Sequence, residues 1–129
     1  MADRMDMDEV HEMLNDLADE IPLEMFRELN GGIALLPEVK YSPAAKNRDL
    51  YILGEYRRGG SLGRLIRIYY GSMMAAFPNA SKEKMKRELR RVLRHEFRHH
   101  LESLAGNMDL EIEDAAFIHG YLSKHREDP

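Results

Sequence analysis

The chain has no cysteine and no tryptophan among its 129 residues. Without cysteine there is no disulfide framework and no thiolate metal site, so any transition metal must be held by histidine and carboxylate. No stretch approaches the roughly 18 apolar residues of a membrane-spanning helix. The first residues are acidic and contain no apolar run, so no signal peptide is expected. These absences predict a soluble, cytoplasmic protein without a membrane partner. The length suits one domain, residues 1–129, with a modest core. The 9 Met indicate an adaptable core and no particular ligand.

Charge is what the chain has in abundance, and it is unevenly placed. Acidic residues crowd the beginning, including Asp3, Asp6, Asp8, Glu9, Glu12, Asp16, Asp19 and Glu20. Basic residues crowd 82–98, including Lys82, Lys84, Lys86, Arg87, Arg90, Arg91, Arg94 and Arg98. A basic run can be a nucleic-acid footprint. Here the net charge is -4 and no aromatics interleave the basic residues. A solvated helix face, or a face that meets the acidic first helix, is the better reading, and nucleic acid is not an expected partner.

The sequence that carries chemistry is His95-Glu96-Phe97-Arg98-His99, the pattern His-Glu-x-x-His. Two histidines four apart on a helix lie one turn apart on the same face and can reach one metal ion. The pattern alone is only suggestive in a chain with 6 His. Its position inside a long helical period adds weight. Met85, Leu89, Val92, Leu93, His100 and Leu104 form an apolar stripe after Ser81, a suitable N-cap. His95 and His99 project at one edge of that stripe, with Glu96 between them and its centre. They are expected to line a cleft where helix meets sheet.

Around this helix, residues 7–20 read as a first helix, with Val10, Met13, Leu14 and Leu17 as its buried stripe. Pro22 opens a short second helix through Leu29, ended by Asn30-Gly31-Gly32. Strands are expected at 33–36, 50–56 and 62–70. The last two should be antiparallel around a turn at Arg57-Arg58-Gly59-Gly60-Ser61, with 38–49 a loop. The strand tyrosines either pack or line a substrate cleft, and packing is the commoner role. Gly71 should break the third strand, and 72–77 should form a turn or short helix. Gly106 stops the main helix. Residues 107–114 read as a connector with four carboxylates, and 115–123 as a final helix.

A catalytic zinc usually takes three protein ligands and keeps one position open. His95 and His99 supply two. Glu102 lies too far along the helix axis to share the ion and could instead orient a ligand imidazole. The third ligand should come from chain that has turned back after Gly106. This favours Asp114, with Asp109, Glu111 and Glu113 as alternatives. Glu96 is the expected general base: a metal-activated water gives up its proton to Glu96 and attacks a peptide carbonyl. His100 and His119 are either supports for the site or oxyanion stabilisers; a packed or surface histidine is the plainer reading of each.

The extended pattern is more specific than its core. His95-Glu96-Phe97-Arg98-His99-His100-Leu101-Glu102, then Ala105-Gly106, Asp109-Leu110-Glu111 and Asp114, resembles a bacterial family of very small zincin-like metallopeptidases. Leu29-Asn30-Gly31-Gly32, residues 50–56 and Ile68-Tyr69-Tyr70-Gly71-Ser72 resemble that family's strand regions, so the likeness spans most of the chain. It implies an α+β, minimal zincin-like fold: N-terminal helices, a small, mostly antiparallel sheet, the His-Glu-x-x-His helix and a short C-terminal helix. It also implies Zn2+ at His95 and His99, with Glu96 catalytic. Related compact zincins place a third-ligand Asp soon after the second His; here that stretch is longer. The expected function is zinc-dependent hydrolysis of a peptide or unfolded protein. The alternative is a zincin-fold module without useful turnover that binds a peptide partner or nucleic acid.

Overall fold

The computed structural model describes residues 5–43, 50–61 and 63–106. Within them the order is α1 (Met7–Asp19), a 3-10 turn (Leu23–Phe26), β1 (Gly32–Leu36), β2 (Gly54–Arg57), β3 (Leu65–Tyr69), α2 (Tyr70–Ala76) and α3 (Lys82–Ala105). The chain is therefore α+β, as its pattern implies. The predicted final helix lies outside the described residues.

The sheet has the order β1-β3-β2. β2 and β3 pair antiparallel, with Tyr56 opposite Ile66 and Gly54 opposite Ile68. β1 pairs parallel to β3, with Ile33 opposite Ile66 and Leu35 opposite Ile68. Half of the pairing is thus parallel, and the sheet is mixed. Alternation along a strand sends successive side chains to opposite faces. Ile33, Leu35, Tyr56, Ile66 and Ile68 meet the core cluster shared with the helices. Glu55, Arg67 and Tyr69 occupy the other face, where Glu55 accepts hydrogen bonds from Tyr69 Oη and from Lys40 Nζ, the latter at 2.5 Å. Burial opposes ionisation of Glu55, but these two donors outweigh it and hold its pKa below the usual carboxylate value. The ion pair ties the 38–43 segment to the sheet.

The local signals explain most boundaries. Asp6 and Glu9 form a reciprocal capping box at the start of α1. Ser81 accepts from Lys84 N–H at 3.1 Å and starts α3. Val10, Leu14 and Leu17 bury against α3 residues that include Met85, Leu89 and Leu93. Charges flank this contact: Lys82 meets Glu9 at 3.1 Å, Lys86 meets Asp16 at 4.0 Å, and Arg90 grips both oxygens of Glu20 at 2.9 and 3.0 Å. Part of the basic run is therefore matched to the acidic helix. Side-chain hydrogen bonding to Arg90 lowers the Glu20 pKa and raises that of Arg90.

Three expectations need correction. The segment from Leu23 is a single 3-10 turn ending at Phe26, because Pro22 starts it but the chain leaves helical geometry by Arg27 and reaches positive φ at Glu28. Strand β2 begins at Gly54; in the preceding segment Tyr51 bridges Tyr41 instead of pairing with β3. Gly71 lies in the first turn of α2, which begins directly as β3 ends. A Cβ at Gly71 would sit 2.7 Å from backbone atoms of Pro37 and Glu38, so close passage of two backbones is what glycine allows here. Gly71→Ala should cost about 1–3 kcal/mol and lower the thermal midpoint by roughly 5–15 °C. An unchanged midpoint would show that the 37–38 backbone gives way freely.

Candidate functional site

Helix α3 lies across β2. Gly54 makes the close approach possible: a Cβ there would meet Val92 Cγ1 at 2.9 Å and the Arg67 carbonyl oxygen at 3.1 Å. The buried side of α3 includes Leu89, Val92, Leu93, Glu96, Phe97, His100, Leu101 and Leu104. Phe97 meets Phe26 edge to face with ring centroids 5.0 Å apart. This packing fixes the rotation of the helix and, with it, the positions of the three residues singled out by the sequence.

His95 is half-buried and His99 is exposed. Their Nε2 atoms are 3.0 Å apart, and their rings stand nearly perpendicular at 89°. Two ligands of one tetrahedral zinc, each at about 2.0–2.1 Å, would stand about 3.3 Å apart. The paired nitrogens fit that requirement. His99 Nδ1 lies 3.3 Å from Glu102 Oε1. That carboxylate stands within ion-pair distance of Nδ1, the ring nitrogen that does not face His95. Glu102 is therefore the carboxylate that neighbours His99. Glu96, one residue after His95, is only 6% exposed. A buried carboxylate beside a convergent histidine pair marks a candidate reactive group.

Among the described residues, no group of three or more His, Cys, Asp or Glu side chains converges. Asp114, Asp109, Glu111, Glu113 and His119 lie outside the described residues.

His100 has a different role from His99. It is fully buried. Its Nε2 is 2.7 Å from the carbonyl oxygen of Arg27, and its Nδ1 is 2.9 Å from Tyr56 Oη. A carbonyl can only accept, so Nε2 carries a proton; in the neutral ring, Tyr56 donates to Nδ1. Burial pushes the His100 pKa below the usual imidazole value, against the opposing effect of the Arg27 carbonyl. Both ring nitrogens are engaged, so His100 is a packed linker between α3, β2 and the 27–28 turn. The plainer reading of this histidine matches the geometry.

A cavity of about 750 Å³ opens beside His99. Tyr56, Arg58 and Arg64 line it from the sheet side, and His99, Glu102 and Ser103 line it from α3. Tyr56 is therefore the strand tyrosine that reaches both the cavity and the core. Arg58 and Arg64 were not singled out by the sequence. Their one signal is that they flank a glycine-rich loop in which Gly59, Gly60 and Gly63 have positive φ.

Among the described residues, no helix is long and apolar enough to cross a membrane. No family model matches the chain, and no curated protein does. Among solved structures, a conserved hypothetical protein from Thermo thermophilus is 33% identical to it, with a TM-score of 0.67. The match covers 78% of this chain and 98% of that one. At that identity and coverage, the chain belongs to the same family as this conserved hypothetical protein.

Proposed function

We propose that the chain is a zinc-dependent metallopeptidase acting on peptides or unfolded segments. The observation that carries this reading is the convergence of His95 Nε2 and His99 Nε2 to 3.0 Å, with Glu102 behind His99. These histidines would hold the ion, and Asp114 is the proposed third ligand. Zinc, when bound, supplies Lewis-acid polarisation of a carbonyl and lowers the pKa of a coordinated water. Glu102 keeps His99 in the tautomer that presents Nε2. Glu96 takes a proton onto its carboxylate from the attacking water and passes it to the departing amine nitrogen. Packing of Phe97, His100 and Leu101 holds these groups in one orientation, so little reorganisation is needed during reaction.

The first test is metal content of protein prepared without added metal, for the parent and His99→Ala. About one zinc per chain is expected in the parent and a large loss in the variant. The His99 side chain is 48% exposed, so the fold should survive its truncation. A parent that takes up no zinc even when zinc is supplied would reduce the histidine pair to a hydrogen-bonded contact on a helix.

A further inference from the structure

The cavity beside His99 contains more positive than negative charge. Arg58 and Arg64 line it against one carboxylate, Glu102. That carboxylate is already engaged: Oε1 faces His99 Nδ1 at 3.3 Å, and Oε2 lies 3.8 Å from Arg98 Nε. Arg58 is exposed, and its Nη1 donates to Ser103 Oγ at 3.2 Å. This neutral acceptor occupies one edge of a fork that has five N–H donors. Arg64 Nε is buried and has no hydrogen-bond partner among the described residues. No carboxylate among the described residues forms an ion pair with either arginine. Arg58 and Arg64 thus border one cavity with no carboxylate held between them, the setting in which a guanidinium fork takes an anion from outside.

The planar guanidinium fork matches a carboxylate better than any neutral group. We infer that this cavity binds a carboxylate of the peptide substrate, with Arg64 and Arg58 as specificity-determining residues. The inference rests on the peptidase reading for the identity of the occupant as a peptide. The carboxylate is either an acidic side chain beside the scissile bond or the free C-terminus of a short peptide. Both sources present the same two oxygens, and both would be held next to His99.

Binding can be separated from turnover in the full-length Glu96→Gln chain loaded with zinc. The probes are three fluorescent octapeptide pools, otherwise random in Ala, Gly, Ser, Leu and Gln. The first has one fixed Glu and an amidated C-terminus. The second has Gln in place of that Glu and is also amidated. The third has the same Gln and a free C-terminal carboxylate. Fluorescence anisotropy should show at least one carboxylate pool binding about tenfold or more tightly than the neutral pool. Preference for the first pool assigns an acidic side chain; preference for the third assigns the C-terminus. Arg58→Met and Arg64→Met should each reduce the preference several-fold, and Arg64→Lys should restore only part of it because the fork is lost. Thermal melts establish that Arg64→Met is folded; if it is not, the exposed Arg58→Met decides. Equal binding of all three pools, or a preference unchanged in the folded arginine variants, overturns the inference. Zinc content is read separately. Carboxylate preference without zinc uptake would retain the anion site and overturn the peptidase reading, whereas zinc uptake with no preference would do the reverse.

Discussion

Glu96→Gln should retain zinc at the parent level while losing peptide turnover by about 10²–10⁴-fold. Gln has nearly the same size and shape as Glu, so a 6%-exposed site should accept it with little repacking. The amide cannot take a proton from water at neutral pH, so the base function is lost. His95 and His99 remain, with their Nε2 atoms 3.0 Å apart. Metal content, thermal midpoint and turnover therefore separate three roles for Glu96. A ligand role predicts loss of zinc. A purely structural role predicts a lower midpoint with turnover reduced only as folded protein is lost. A base role predicts intact zinc, an intact midpoint and slow cleavage. Cleavage by the zinc-loaded variant at the parent rate would remove Glu96 from the mechanism.

The long helix was legible because its signals are local. Ser81 caps it, the apolar residues repeat at helical spacing, and Gly106 follows its last turn. The same periodicity placed Glu96 toward the stripe and the two histidines at its edge, and burial follows that order. Strand β2 was less legible. Residues 50–53 are as strand-like as 54–57, but the ladder with β3 runs over 54–57 and reaches back only to the Leu53 carbonyl, which accepts from Tyr69 N–H at 3.0 Å; pairing is not a property of a single strand. The start of α2 was hidden for a related reason. Gly71 looks like a strand breaker, whereas its role is set by the Pro37–Glu38 backbone, more than thirty residues earlier. Arg58 and Arg64 look like turn and strand residues. Only the curl of the hairpin against the end of α3 brings both into the cavity beside His99. The histidine pair was thus written in one helix, while the cavity beside it depends on contacts between elements far apart in sequence.

His100→Ala should do the opposite of His99→Ala: it should cost about 3–5 kcal/mol of stability without reducing zinc content in the folded fraction. The neighbouring histidines differ because one helical step rotates the side chain by about 100°. His99 faces the cavity, whereas His100 points into the core and is fully buried. Truncation at 100 leaves a cavity beside Phe97, whose ring centroid is 6.3 Å from that of His100. It also removes the donor that reaches the Arg27 carbonyl at 2.7 Å and the acceptor for Tyr56 Oη at 2.9 Å. Tyr56→Phe removes only the second of these bonds and should cost about 1 kcal/mol. Since small domains are stable by only about 5–15 kcal/mol, the alanine variant could lose a third or more of its stability. Denaturant unfolding gives the cost, and metal analysis of the remaining folded protein gives the zinc content. Loss of zinc from a His100→Ala chain of unchanged stability would place His100 among the ligands and would require the ring to leave both of its present partners.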